Sequence, residues 1–533
     1  MEDSQFLQFL GLPGDADQET ATLSLTAILT SAVRDPHPST SLSDLYHKIT
    51  TQNGSQYLDP LHALPLLVDC PDAKAQELIS VVGKCCSPRE ALIATQECLE
   101  RLSGELQRDD DEDDEDKRRA PIDVLLTIID LYRTVIPRVK LRNRSGFETV
   151  KSHIVEVQDA ISAATNHLRP SHAQRLLIAV SELVVSVNNW LKVDDKDIAA
   201  RVTLLSSLLD RALEASSHAL HTQISKRTFE ATFPRFRRSG GTEDWNEAED
   251  ALQQVFAAFE VLGKGPKEFA DNPSPTSLIA LAHLPYDTAV NLSSFLPIII
   301  ASIHSNSLLD ETLAVLIKYL CHPGTVTVSD EVAGSLLSVL PELASGHSDP
   351  QIRHLTFRIL SRLLSMTPPA LRMEILADLT GHSEFPQMRI AAVGLVKEAL
   401  LEALNTPSGN PFASPLFLRT FGPILFQTNP SDLLTLDSTT LESFVESEEP
   451  KRLVECLSLY YVLLERDVQN LTGIRSQDVL RSVETSLLLP LKTRMAQWSA
   501  EPAGSDSHDD HFNPLLPIEI SLERVEAAKA KLQ

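Results

Sequence analysis

Two adjacent cysteines are the side chains best suited to redox chemistry in this sequence of 533 residues. Cys85 and Cys86 precede Ser87-Pro88, a pair that predicts the start of a helix. Because the positive end of a helix dipole stabilises a thiolate, the two thiols could form a redox relay. The alternative, which we favour, is a pair of small, half-buried side chains without a chemical role.

Other patterns with catalytic or metal-binding potential are weak. His508-Asp509-Asp510-His511 offers suitable ligand types, but it lies in a polar segment with nothing to fix their geometry. Gly263-Lys264-Gly265 lacks the third glycine of a dinucleotide fingerprint. The sequence contains no P-loop, HExxH, GxSxG or CxxC motif. We therefore predict a protein that is not an enzyme and that has no cofactor and no metal site.

Two basic clusters interrupt an acidic background and are candidates for a partner-binding surface. The first follows Arg133 and contains Arg138, Lys140, Arg142 and Arg144. The second alternates with Phe229, Phe233 and Phe236 and contains Lys226, Arg227, Arg235, Arg237 and Arg238. Basic and aromatic side chains in alternation suit single-stranded nucleic acid or an acidic peptide. The alternative is that these segments dock on the acidic surface of the chain itself.

Composition limits the class of protein. With 47 basic and 73 acidic residues the net charge is −26, which disfavours nucleic acid as a general partner. Only 19 glycines are present, too few to favour a doubly wound nucleotide-binding sheet. Six cysteines are too few for a disulfide scaffold, and the N-terminus lacks the basic segment of a signal peptide. We predict a cytoplasmic protein that can also be nuclear, with no membrane span.

Hydrophobic residues recur with helical periodicity along most of the chain. After Pro121 they predict one helix that Pro137 kinks or ends. Further helices are predicted at about 147–168, 172–192, 197–218, 244–262, 286–303, 307–320 and 329–345. The predicted fold class is all-α.

An internal repeat indicates how these helices are arranged. Pro350-Gln351-Ile352-Arg353 recurs 36 positions later as Pro386-Gln387-Met388-Arg389, and each copy precedes an apolar helix. Because one helix pair cannot bury its apolar face alone, pairs of this length stack on one another. We therefore predict a HEAT- or armadillo-like α-solenoid of stacked helix pairs. An arginine at this position often pairs with a carboxylate of a neighbouring repeat, here Asp349 or Asp378.

Changes in composition divide the chain into five parts. Eight consecutive acids, Asp109–Asp116, repel one another and predict a disordered linker. The segments 235–243 and 501–514 are also polar breaks. The predicted parts are an N-terminal helical region (1–107), an acidic linker (108–120), a middle helical region (121–238), C-terminal HEAT-like repeats (244–499), and a polar linker with a short helix (500–533).

Two linked blocks carry a family resemblance. Arg362–Leu379 is a leucine-rich helix, Thr-Pro-Pro and a short helix with an arginine, and Phe385–Leu404 begins with the second copy of the repeat. Together they resemble the YAP-binding/glomulin family. The motif positions are Thr367, Pro368, Pro369, Arg372, Pro386, Gln387, Arg389 and Gly394. We expect structural roles for the last four: a helix start, a cap contact, a buried ion pair and a close helix crossing.

The resemblance implies a non-enzymatic scaffold that binds proteins. Fungal members resemble proteins that bind an AP-1-type transcription factor and support its oxidation under peroxide stress, and one relative associates with kinetochores. Animal and plant members resemble glomulin, which masks the RING subunit of cullin–RING ubiquitin ligases. The acidic, loop-rich character of this chain favours the fungal role, and the RING-masking role is the alternative.

Overall fold

The computed structural model describes residues 2–106, 119–141, 145–192, 198–236, 246–285, 290–321, 328–406, 409–434, 440–500 and 514–532. Over these residues the secondary structure is helical, with no β-strand. The fold is therefore all-α, as predicted.

The helices in chain order are α1 (Glu2–Phe9), α2 (Gln18–Arg34), α3 (Leu42–Thr51), α4 (Pro60–Leu67), α5 (Ala73–Cys85), α6 (Pro88–Leu106), α7 (Pro121–Val135), α8 (Gly146–Ala163), α9 (Pro170–Leu191), α10 (Ile198–Ser216), α11 (Ile224–Thr232), α12 (Asn246–Val261) and α13 (Pro266–Asp271). They continue with α14 (Pro275–His283), α15 (Leu292–Ser305), α16 (Leu309–Cys321), α17 (Asp330–Gly346), α18 (Pro350–Met366), α19 (Pro369–Gly381), α20 (Pro386–Asn405), α21 (Pro415–Leu425), α22 (Leu441–Glu446), α23 (Glu449–Arg466), α24 (Gln477–Val483), α25 (Leu489–Ala500) and α26 (Leu516–Ala530). A π-helical turn, Glu484–Leu488, joins α24 to α25.

Many helix starts in this chain use proline and short polar side chains, although α8 begins at Gly146 and Gly265 is the N-cap of α13. Proline occupies the first turn of α7, α9, α18, α19 and α20, where a missing N–H costs nothing. The Asp72 carboxylate caps α5 by accepting from the Lys74 N–H, and Asp349 caps α18 in the same way. A chain with few glycines can therefore begin many helices, because proline and capping carboxylates replace glycine at these positions.

The chain divides into two compact units. The first comprises residues 1–227, 235–291 and 304–312, and the second comprises 228–234, 292–303 and 313–533. The five-part division drawn from composition stays a prediction.

The first unit contains two layers of helices. In one layer α5 packs on α7, α7 on α9 and α9 on α12; in the other α4 packs on α6, α6 on α8 and α8 on α10. The contacts between α6 and α7 and between α9 and α10 join the layers. Leu125, Ile128, Ile129 and Tyr132 of α7 are fully buried between them. Each pair therefore buries its apolar face against the next, as predicted for stacked helix pairs.

The second unit repeats this principle. Helix α17 packs on α18, α19 on α20, α20 on α23, and α23 on α26. Helices α18 and α20 begin at the two repeat prolines, Pro350 and Pro386, which confirms the repeat as two equivalent helix starts. Helix α7 ends at Val135 and passes into a 3₁₀ turn that contains Pro137, also as predicted.

No helix in the described part of the chain combines the length and the apolar character that crossing a bilayer requires.

Candidate functional site

The cysteine pair lies at the end of one helix rather than at the start of the next. Cys85 is the last residue of α5 and is exposed, whereas Cys86 caps that helix and is buried. Burial, together with the neighbouring Cys85, raises the pKa of Cys86 to about 12. The hypothesis of a lowered pKa is therefore wrong for Cys86, because its thiol is desolvated and follows the negative end of α5.

Metal-ligand side chains do not gather in the described part of the chain. No group of three or more His, Cys, Asp or Glu side chains there could hold an ion. The His508–His511 segment, the acidic run Asp109–Asp116 and residues 237–243 of the polar break 235–243 lie outside the described residues.

The first basic cluster does not form one surface. Arg138 donates through Nη2 to the Cys86 carbonyl at 2.7 Å and through Nη1 to the Gly83 carbonyl. These are carbonyls at the end of α5 that lack helical partners, so Arg138 is a helix cap rather than the predicted partner contact. Lys140 is exposed, and Arg142 and Arg144 lie outside the described residues.

The second basic cluster is also divided. Arg227 forms a 2.9 Å ion pair with Glu249, whose carboxylate also lies 3.0 Å from Nδ1 of the buried His283. Phe229 is buried and packs against the Phe233 ring, so it cannot stack on a nucleobase. Arg235 is exposed, whereas Arg237 and Arg238 lie outside the described residues. The basic and aromatic residues of this cluster therefore do not act together. Arg227 binds a carboxylate, whereas Arg235 faces solvent.

The Thr-Pro-Pro block of the family motif joins α18 to α19. The buried Thr367 hydroxyl donates to the Leu364 carbonyl at 2.6 Å and closes α18. Pro368 is the N-cap of α19 and Pro369 its first residue. Arg372 reaches from α19 to α20, where Nη1 lies 2.8 Å from a Glu402 carboxylate oxygen. The block therefore sets the turn between α18 and α19 and links α19 to α20.

The Pro-Gln-Met-Arg block behaves differently from expectation at three of its four motif positions. Pro386 starts α20, as predicted, but Gln387 is exposed, and no side-chain hydrogen bond from the described residues caps the start of α20. Arg389 is half-exposed and forms no ion pair with any described residue. Of the two predicted partners, Asp349 caps α18 and Asp378 lies 3.5 Å from His382. A Cβ added at Gly394 would meet no atom within 4 Å, so no close helix crossing requires this glycine.

A further ion pair in this unit, between Arg452 and Glu449, is almost fully buried. Arg452 of α23 binds Glu449 at 2.6 and 2.7 Å and donates to the carbonyls of Ile424 and Gln427 at the end of α21. The side chains of both ions are about 5 % exposed. Four hydrogen bonds thus compensate the buried guanidinium.

Two grooves open on the α5–α7–α9–α12 layer of the first unit. The α5–α7 groove encloses about 350 Å³ and is lined by polar groups that include Gln76, Thr127 and Arg119. The α9–α12 groove encloses about 590 Å³ and combines an apolar patch, which includes Val185, Ala257 and Val261, with polar side chains that include the Arg133–Glu182 ion pair. Thr134 of α7 lines both grooves. Sequence reasoning missed these sites, since their residues come from helices far apart in sequence.

A comparison with protein families gives one match. The model described as "Uncharacterised protein family, YAP/Alf4/glomulin" matches residues 186–525, well over half of the chain. The matched region begins within α9 and includes α18, α19 and α20 with their motif residues. No individual curated protein matches the chain. The chain therefore belongs to the YAP/Alf4/glomulin family, as its motif residues predicted.

Proposed function

We propose that this chain is a non-enzymatic interaction scaffold that binds an AP-1-type stress transcription factor and supports the oxidative-stress response. The family match over residues 186–525 is the observation that carries the proposal. We assign it to the cytoplasm, with access to the nucleus where such a factor acts.

The architecture supports a binding role. Stacked helix pairs bury their apolar faces against each other and leave extended outer faces for partners. The pKa of Cys86, raised to about 12 by burial, leaves little Cys86 thiolate at neutral pH, which disfavours a relay that uses this cysteine. In this proposal the chain positions the factor, and the oxidant chemistry belongs to other proteins.

A second candidate function rests on the same family, whose description also names glomulin. A glomulin-like role would mask the RING subunit of a cullin–RING ubiquitin ligase. Direct binding to a purified RING subunit, with loss of ubiquitin transfer, would select this role.

Affinity purification of the tagged full-length chain from peroxide-treated cells, followed by mass spectrometry, tests the proposal. The expected result is enrichment of an AP-1-type factor over a control purification with an unrelated helical-repeat protein. A deletion strain should accumulate less of the factor in the nucleus after peroxide treatment. Recovery of neither an AP-1-type factor nor a cullin–RING component would exclude both roles.

A further inference from the structure

Two buried hydrogen-bond donors in the α5–α7 groove have no partner among the described residues. Nη1 of Arg119 is one, and Nε2 of Gln76 is the other. The Thr127 hydroxyl lies 3.2 Å from Oε1 of Gln76 and donates to the Asp123 carbonyl at 2.9 Å. Unpaired buried donors cost folding free energy, so each one calls for an explanation.

The carboxylates around Arg119 are already paired with other arginines. Asp123 accepts from Arg175 at 2.7 Å, and Asp69 pairs with Arg101 at 2.9 Å. Burial lowers the pKa of Arg119, although the guanidinium remains charged. The groove therefore contains a half-buried guanidinium whose neighbouring carboxylates, Asp123 and Asp69, each pair with another arginine. Asp130, which also lines the groove, pairs with Arg133.

The neighbouring α9–α12 groove supplies apolar surface. Val261 is 42 % exposed although it is a large aliphatic side chain, and Ala257 beside it leaves space above α12. Because Thr134 lines both grooves, a bound segment could pass from the unpaired donors to this apolar surface. A single inorganic anion would use only the first groove.

We propose that these two grooves bind an acidic segment of a partner protein, with a carboxylate on Arg119 and Gln76 and an apolar side chain in the α9–α12 groove. Charge complementarity selects a carboxylate, since a hydrogen bond from the charged guanidinium of Arg119 to an anionic oxygen is stronger than one between neutral groups. The inference deepens the proposed scaffold function and rests on it for the identity of the partner. Most of this surface precedes the family-matched region.

Fluorescence anisotropy with the full-length chain tests the site. The probe is a labelled peptide of two leucines flanked by four glutamates, and its control has glutamines in place of the glutamates. We expect the glutamate probe to bind at least about tenfold more tightly than the glutamine probe. Arg119→Gln should weaken the glutamate probe by about tenfold and remove most of the difference between probes.

Two further variants separate the grooves from general electrostatics. Arg211→Gln removes the same charge from an exposed position on α10, and it should change the affinity less than about twofold. Ala257→Trp fills the apolar groove and should weaken both probes. Equal effects of Arg119→Gln and Arg211→Gln, or no binding by the natural chain at about 1 mM, would overturn the proposal.

The sequence also contains a competitor, because the acidic run Asp109–Asp116 ends three residues before Arg119. A full-length variant with these eight acids changed to their amides shows whether they compete. Equal or modestly tighter probe binding supports a partner segment as the occupant. If the probe binds the amide variant but not the natural chain, the assignment to a partner is wrong, and the chain's own acidic run is the occupant of the site.

Failure of this inference differs from failure of the proposed function. If the Arg119→Gln chain captures the AP-1-type factor as well as the natural chain does, the site is wrong and the scaffold function stands. If the natural chain captures neither family partner, the scaffold function fails, and the peptide measurement still decides whether the grooves bind acidic segments.

Discussion

Arg372 in the second unit and Arg119 in the first unit are both partly withdrawn from water, and each has one buried N–H donor without a partner among the described residues, but only Arg372 forms an ion pair there. Arg372 is 11 % exposed at its side chain and reaches Glu402 in the next helix. Arg119 lines a groove and has an unpaired Nη1 among the described residues. We infer that Arg372 of the family motif stabilises the packing of α19 on α20, whereas Arg119 in the α5–α7 groove is available to a ligand.

The largest effect should come from breaking the enclosed ion pair of the second unit. Arg452→Met leaves the Glu449 carboxylate buried without its guanidinium, so we expect a loss of about 3–5 kcal/mol in the free energy of unfolding. Hydrogen exchange measured with increasing denaturant can follow α23 separately from the first unit.

The neighbouring pair supplies a matched control for this prediction. Lys451 is 71 % exposed and pairs with Glu448, so Lys451→Met should cost less than about 1 kcal/mol. Equal losses for the two variants would show that enclosure of Arg452 has no special energetic importance.

The next prediction tests a compensated charge in the first unit. Burial opposes ionisation of Glu249, but hydrogen bonds from His283, Arg227 and Gln253 outweigh it and lower its pKa to about 2. Glu249→Gln should therefore cost about 2–3 kcal/mol at pH 7.

The pH dependence of that loss identifies its origin. A lowered carboxyl pKa stabilises the fold above the unfolded-state pKa, and this stabilisation disappears as the pH falls from about 4.5 to about 2. The difference between the natural and Glu249→Gln chains should shrink over that range in chemical unfolding at fixed temperature. The exposed neighbour Glu247, changed to Gln, should show no such trend.

A smaller effect is expected within the family motif. Arg372→Met should cost about 1–2 kcal/mol, because its partner Glu402 is more than half exposed and regains water. Arg389→Met should cost less than about 0.5 kcal/mol, since Arg389 has no ion pair among the described residues. Hydrogen exchange in α19 and α20 distinguishes the two, and a larger loss for Arg389→Met would contradict the assignment.

The smallest effect should be a gain. Gly394 lies inside α20 with space around it, so Gly394→Ala should raise the free energy of unfolding by about 0.5–1 kcal/mol. Gly54→Ala is the opposite case, because its new Cβ would collide with the Phe6 ring. Thermal unfolding of both variants measures the difference, and a loss at Gly394 would indicate a close contact there.

Local sequence signals predicted the helices well. Pro121, Pro350 and Pro386 each begin a helix, and Pro137 follows the end of α7. These features depend on residues within one or two turns, so periodicity and proline placement are sufficient to identify them.

The same signals could not predict the partners of charged groups. Arg138 and the carbonyls it caps are more than 50 positions apart, and the linear basic cluster around it separates once the helices pack. Cys86 precedes a helix in sequence, but its burial depends on the neighbours of α5. The α5–α7 groove likewise combines Gln76, Arg119 and Arg175, whose proximity only tertiary packing creates.

The most direct test of the contrast is the stability of the free full-length chain with Arg119→Gln, measured beside Arg372→Met. If Arg119 is held for a ligand, replacing its half-buried charge, which has no ion pair among the described residues, should leave the free energy of unfolding unchanged or raise it. Arg372→Met should lower it by about 1–2 kcal/mol in the same experiment. A loss at Arg119 equal to that at Arg372 would show that Arg119 stabilises the fold and would contradict its assignment to a partner.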